Sequence, residues 1–319
     1  MEKKDQEICW VLTGPTASGK TALSIRLAKA HDCEVVCMDS MQIYRRMNIG
    51  TAKPMPEEME GVPHHMIDVA DPDESFSVAR YQEMAEECIA DIHARGKRAL
   101  LVGGTGFYLR ALRQPMAMGD VSADERIRAE LEAIAIEEGG KQRLHDMLEV
   151  ADPVTAARLH VNDSRRVIRA LEVCRLTGVP FSQQPQLQTE SRYQYCVATL
   201  TMDRSLLYQR VEKRIDVMFA QGLADEVRGL LDSGVSADAQ AMKAIGYKEL
   251  VPFVRGEATF EETDYLLKLN TRHYAKRQLT WMRREPDVLW VNALAPDAYD
   301  RLENWYVNGV GDVSKGEEA

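Results

Sequence analysis

The chain has 319 residues, 45% of them apolar and 28% charged, with a formal net charge of −10. That length suits roughly two domains, or one large domain with an insertion, and the apolar share is ample for a packed core. No window approaches the length of a membrane span, and the acidic balance argues mildly against nucleic acid as a partner unless Lys and Arg are clustered locally.

The first element is strand-like, Ile8-Cys9-Trp10-Val11-Leu12, and is too short for a secretory h-region. It runs into GPTASGKT, which fits the phosphate-cradling spacing G-x-x-x-x-G-K-[ST] from Gly14 through Thr16, Ala17, Ser18 and Gly19 to Lys20 and Thr21. Backbone N–H groups of such a loop, backed by a helix N-terminus, wrap an oxygen-rich anion. Lys20 then reaches terminal phosphate oxygens and the Thr21 hydroxyl holds Mg²⁺. Leu23, Leu27 and Ala30 follow at helical spacing, and a buried strand from Glu34 to Met38 ends in Asp39-Ser40. SVARYQEMAEECIADIHARGK reads as a helix stopping near Gly96, and the strand Ala99 to Val102 runs into GGTG. The alternation predicts an α/β fold with a parallel sheet flanked by helices. Sites belong at the strand C-terminal ends, where Asp39 and Thr105 fall beside the phosphate loop.

From about Ser122 to about Leu176 the strand signal vanishes and the pattern is helical, with Asp163 as an N-cap and Gly178 after a last turn. This predicts an inserted all-helical module over 120–190, ending in the linker SQQPQLQTES. The α/β core comprises 1–119 and 191–319, with strand signal again at Tyr195 to Thr201 and Val288 to Asn292. The terminal VSKGEEA reads as a disordered tail.

Asp39, at a strand end, suits a general base or a metal-organising group, or else it caps a neighbouring turn. The strand Ala99 to Val102 ends without a Walker-B carboxylate, and no N-K-x-D guanine-reading signature is present. In SLLYQRVEKRIDVMFAQGL, Leu207, Val211 and Met218 form a stripe that also includes Arg214. An arginine towards the packed side needs an anion, which is either a buried carboxylate or a leaving diphosphate. Lys268 to Arg284 holds six Lys and Arg and no acid. Ala275, Leu279 and Met282 form its apolar face, Arg272, Lys276 and Arg283 line up beside it, and Tyr274 and Trp281 interleave. That run is a solvated basic face or a nucleic-acid footprint. Arg165, Arg166 and Arg169 form a second, smaller patch. His64-His65 has no partner at ligand spacing and reads as a hydrogen-bonded structural pair. Six scattered cysteines, without C-x-x-C pairs, fit a reducing, cytoplasmic setting.

The sequence resembles the bacterial tRNA dimethylallyltransferases over nearly its whole length. The matching motifs are GPTASGKT, DSMQIYRRMNIGTAKP, PHH, GGTGFY, NDSRRVIRALEV, AIGYKE and AKRQLTWMRR. The resemblance implies a P-loop NTPase-like core in which the loop holds the diphosphate of dimethylallyl diphosphate and no nucleotide is hydrolysed. It implies that N6 of the adenosine 3′ of the anticodon attacks the allylic carbon. Asp39 then acts as general base, Thr105 positions the reacting groups, and Lys20, Arg214 and a Mg²⁺ near Thr21 neutralise the leaving group. tRNA contacts are implied at Asp39, Ser40, Met41, Gln42, Thr105, Arg128, Arg165, Arg166 and Arg169. Further contacts are implied at Lys243, Gly246, Tyr247, Lys248, Lys276, Arg277, Gln278, Trp281 and Arg283, with the helical insertion clamping the anticodon stem-loop. The chain lacks the C-terminal zinc finger of eukaryotic members, as expected of a bacterial-type enzyme, and a monomer is expected. Two other classes compete. A small-molecule or nucleotide kinase would use Lys20 on ATP, but it leaves the basic surface unexplained. An RNA-binding module with a vestigial loop leaves Lys20-Thr21 without a purpose.

Overall fold

Apolar runs without polar alternation, such as Ile8 to Leu12, suit strands covered on both faces. The computed structural model describes residues 7–114, 124–184 and 191–309. Strand β1 (Ile8–Thr13) sits inside a six-stranded sheet with β2 (Cys33–Cys37), β3 (His64–His65), β4 (Arg98–Val102), β5 (Gln194–Thr201) and β6 (Val288–Asn292). The order is β3-β2-β4-β1-β5-β6, with every pairing parallel. Successive side chains go to opposite faces. Cys9, Val11, Val36, Leu101 and Val197 enter one core, and Trp10, Leu12, Val35, Leu100 and Ala198 enter the other.

The second face is covered by α1 (Lys20–His31) and α13 (Ala298–Asn308), where Trp305 meets Trp10 edge-to-face at 4.9 Å between ring centroids. On the first face lie α3 (Val78–Ala94), α9 (Arg204–Ala220), α10 (Leu223–Asp232) and α11 (Tyr247–Val254). The short α2 (Pro56–Met59) and α4 (Gly106–Arg113) complete the first part of the core, and the basic α12 (Phe260–Met282) precedes β6. The strands expected at Tyr195 to Thr201 and Val288 to Asn292 are both present.

The chain divides into two compact units, one made of Met1–Arg113 with Ser191–Ala319, the other Gln114–Glu190. The second is all helical in its described part: α5 (Glu125–Ile136), α6 (Gly140–Ala151), α7 (Pro153–Ala156) and α8 (Ser164–Thr177). Leu131, Leu144, Leu148, Val167 and Leu171 form its core. Gly178 ends α8 in the left-handed region at φ 69. Asp163 stands at the N-cap but does not cap. Its carboxylate accepts from Arg166 at 2.9 Å instead. The boundary near residue 120, the middle of the linker and the VSKGEEA tail lie outside the described residues.

Candidate active site

The phosphate loop leaves β1 at Thr13 and enters α1 at Lys20, so its N–H groups sit at a helix N-terminus in the middle of the sheet. Ala17 adopts φ 63, a left-handed conformation rare outside glycine. Two side chains from distant helices brace this turn. Arg210 of α9 donates Nε to the Ala17 carbonyl at 2.9 Å, and the Gln278 Oε1 of α12 accepts from the Thr16 N–H at 2.9 Å. Lys20 Nζ donates to the Gly14 and Pro15 carbonyls at 2.9 and 2.8 Å. Ser18 Oγ is buried without a hydrogen-bond partner among the described residues, an unmet polar atom inside the cradle.

The loop opens on a cleft of about 1450 Å³. Lys20, Arg210, Arg214 and Arg277 line it from one set of elements, and Asp39, Ser40 and Met41 from another. Burial pulls Lys20 down to about 8, with Asp39 opposing the drop and Arg214 adding to it. The Asp39 carboxyl is pushed above its ordinary value by burial, against the Met41 N–H, the Lys20 charge and the Gln42 N–H. Asp39 Oδ1 accepts from Met41 N at 2.9 Å and from Gln42 N at 3.4 Å, so the turn-capping role is real. Its Oδ2 has no hydrogen-bond partner among the described residues, so one carboxylate oxygen stays unused in the cleft.

Behind Asp39, Thr105 Oγ1 accepts from Ser40 N at 3.0 Å and donates to Ser40 Oγ at 3.4 Å. The GGTG sequence is a matter of close approach. A Cβ on Gly103 would lie 2.0 Å from the Met38 carbonyl oxygen, one on Gly104 2.1 Å from Gln278 Nε2, and one on Gly106 2.2 Å from the Trp281 ring. Gly104 and Gly106 thus let α12 close in beside Thr105, while Gly103 lets the backbone approach Met38.

Asp39, Ser40, Met41, Thr16, Ala17, Ser18, Gly19, Lys20, Thr21 and Arg214 all line this one cleft, while Gly14 and Thr105 stand just behind it. Several expectations need correcting. Arg214 is not on the packed stripe of α9. Leu207, Val211 and Ile215 are buried there, and Arg214, one helical step away, faces the cleft with no carboxylate partner among the described residues. Burial lowers its pKa, with Arg210 adding to the drop and Glu58 opposing it. The side chain is accessible to cleft water, although protein surrounds it. Gln278 is buried at the cleft and uses its amide on Thr16 N and on the Gly104 carbonyl at 3.1 Å. Tyr247 is fully buried and donates to Glu226 at 2.6 Å. Gln42 gives its Nε2 to the Thr51 and Ala52 carbonyls, both at 3.1 Å. Gly246 is buried at the start of α11, and Trp281 is half-buried against Gly106.

In the helical unit, Arg128 and Arg169 each donate to the buried Glu172 at 2.8 Å, while Arg165 and Arg166 are exposed. Lys243, Lys248, Lys276, Arg277 and Arg283 are exposed. On α12, Arg272 is taken by Glu212 at 2.8 Å and Lys268 by Asp216 at 2.7 Å. His64 and His65 form the structural pair expected, on the Val62 carbonyl at 2.8 Å and on Glu34 at 2.7 Å. No group of His, Cys, Asp and Glu among the described residues could hold a metal ion. Sequence reasoning missed Arg210, although its i, i+4 spacing to Arg214 was there to read. It also missed Glu226, which carries no local signal.

The IPP transferase family matches residues 42–285. The chain belongs to that family. Among relatives, tRNA dimethylallyltransferase of Geobacter metallireducens is 48% identical over 304 residues, 95% of this chain and 97% of the relative. The one from Desulforudis audaxviator is 50% identical over 283 residues, 88% and 91% of the two chains. The crystal structure of a tRNA isopentenylpyrophosphate transferase from Bacillus halodurans superposes with a TM-score of 0.71 at 45% identity, covering 96% of this chain and 97% of that one. A eukaryotic dimethylallyltransferase captured acting on tRNA gives 0.77 at 30% identity, covering 95% and 76%. The IPP transferase core thus has the P-loop NTPase-like fold that its sequence suggested. Among the described residues, no helix is long and apolar enough to cross a membrane.

Proposed function

We propose that this chain transfers the dimethylallyl group of dimethylallyl diphosphate to N6 of adenosine 37, 3′ of the anticodon, in tRNA. The products are N6-(dimethylallyl)adenosine and diphosphate. The observation that carries the reading is the pairing, in one cleft of an IPP transferase, of a half-buried carboxylate with an unused oxygen and a cationic cradle. The N6 lone pair forms the new C–N bond at the allylic carbon as the C–O bond breaks, and the electron pair leaves with the diphosphate. Asp39 Oδ2 takes the N6 proton. Lys20, Arg210 and Arg214 meet the negative charge that develops on the leaving group, where such stabilisation is worth most. An anticodon-loop adenine must be unstacked to enter the cleft, which suits an exposed rim of Lys243, Lys248, Lys276, Arg277 and Arg283. Arg165 and Arg166 of the helical unit serve as further phosphate contacts.

The Thr21 hydroxyl fits a Mg²⁺ requirement. It lines the cleft, makes no hydrogen bond of its own among the described residues, and is the hard oxygen donor such an ion takes beside phosphate oxygens. Mg²⁺, when bound, offsets charge on the leaving diphosphate. The reading also takes the enzyme to be a cytoplasmic monomer.

The test is to mix the protein with Mg²⁺, labelled dimethylallyl diphosphate and unmodified tRNA, without ATP. Label on the adenosine next to the anticodon supports the reading. ATP consumption without label transfer would instead make this a kinase. The Asp39→Asn variant is expected to lose transfer by on the order of 10²–10⁴-fold while still binding tRNA.

A further inference from the structure

Glu226 of α10 lies outside the chemistry just described, yet it is saturated with donors. Its Oε2 accepts from Asn48 N and Ile49 N, each at 2.8 Å, and its Oε1 from Gly50 N at 3.1 Å and Tyr247 OH at 2.6 Å. Three successive backbone N–H groups are thereby pinned to one carboxylate, a bond type about twice as strong as its neutral counterpart. Gly50 is required there, because a Cβ would lie 2.6 Å from the Tyr247 ring. Lys53 closes the far end of the same loop through Tyr44 O at 2.7 Å, Asn48 Oδ1 at 2.9 Å and Asp68 at 2.6 Å.

The pinned segment borders the cleft from Asn48 to Lys53. Its Thr51 and Ala52 carbonyls accept from Gln42 Nε2. Gln42 in turn supplies one of the two backbone N–H groups on Asp39 Oδ1. A continuous chain of hydrogen bonds therefore runs from α10 through the loop and Gln42 to Asp39.

We propose that Glu226 is a positioning residue for Asp39, acting through the 48–52 segment and the Gln42 side chain. The inference rests on the reading of Asp39 as the base. Loosening the chain frees the turn whose N–H groups favour the ionised carboxylate. Asp39 then moves out of line and becomes harder to ionise.

The test uses single-turnover transfer as a function of pH. Glu226→Gln keeps the volume but turns one acceptor into a donor facing backbone N–H groups. It is expected to lower the rate about 10–100-fold, the cost of a small misplacement. The acidic limb should move to higher pH by about half a unit to one unit. The KM for tRNA should stay within about twofold, since no RNA contact is removed. Gln42→Ala cuts the same chain without touching Glu226 and should move the limb alike. The double variant should be no worse than the more damaging single one, as expected of residues acting in series. A Glu226→Gln profile superposing on the wild type, or strictly additive losses, overturns the proposal. Asp39→Asn, measured alongside, separates the two failures. Full turnover by that variant removes the base and the positioning role together, whereas its inactivity beside a wild-type Glu226→Gln profile removes only the positioning role.

Discussion

Lys20 and Asp39 line the same cleft, and each helps the other stay charged in surroundings that disfavour both charges. With a folded value of about 8, Lys20 is protonated below that pH and neutral above it. A neutral amine holds a diphosphate less tightly than an ammonium does, so the KM for dimethylallyl diphosphate should rise as pH climbs through 8, with the KM for tRNA unaffected. Steady-state kinetics on either side of pH 8 would show it, and a flat donor KM would remove Lys20 from the cradle. Single residues were the least legible level of the sequence. Asp39 was readable because a carboxylate after an apolar strand has few other places to be. Arg214 and Ile215 are neighbours, and one helical step of about 100° exchanges core for cleft. No stripe drawn by eye resolves that. Gln278 and Tyr247 sit in motifs rich in cations and aromatics, and only packing reveals that both polar ends are used internally.

At the scale of elements, β2 carries a buried charge near its start. The Glu34 side chain is 3% exposed and is held by Arg95 and by His65 at 2.7 Å. Hydrogen bonds from Arg95 hold its carboxyl down to about 2, burial opposes them, and His65 adds to the lowering. A carboxyl whose folded value is depressed stabilises the protein above its unfolded value, and that stability fades as pH falls from 4.5 towards 2. Glu34→Gln should therefore lower the melting temperature at neutral pH and flatten its dependence on pH in that acidic window. The expected cost is about 1–2 kcal/mol, below what the full shift implies because Arg95 stays partly in water and is screened. An unchanged acid profile would contradict it. Strands and long helices were legible from their periods. Short β3 was not, because two residues carry no period.

For the molecule as a whole, the net charge of −10 conceals an uneven distribution. On α12 the cations divide into two kinds. Lys268 and Arg272 are bound to carboxylates, while Lys276 and Arg277 are exposed and form no ion pair with the described residues. Counterion release then makes a sharp prediction. Replacing Lys276 or Arg277 by Ala should reduce the slope of log Kd for tRNA against log salt by about one each. Replacing Lys268 or Arg272 should leave it nearly unchanged. Equal effects from all four would mean that the helix does not meet RNA through its free cations. The helical insertion was legible as a long stretch without strand signal. Its edge near residue 120 falls outside the described residues, in a stretch with little periodicity to mark it.

Gln278 has a consequence of another kind. Its amide joins the phosphate loop to the GGTG turn, holding the Thr16 N–H and the Gly104 carbonyl at once. Most of the ordering of that loop is then completed when the chain folds, and little is left for the moment the donor arrives. A preorganised cradle of this sort loses little entropy on binding and has little to unmake when diphosphate departs. The same side chain sits next to Arg277 on a helix whose outer face is basic, so whatever displaces α12 by a fraction of a turn must also reshape the loop that holds the donor.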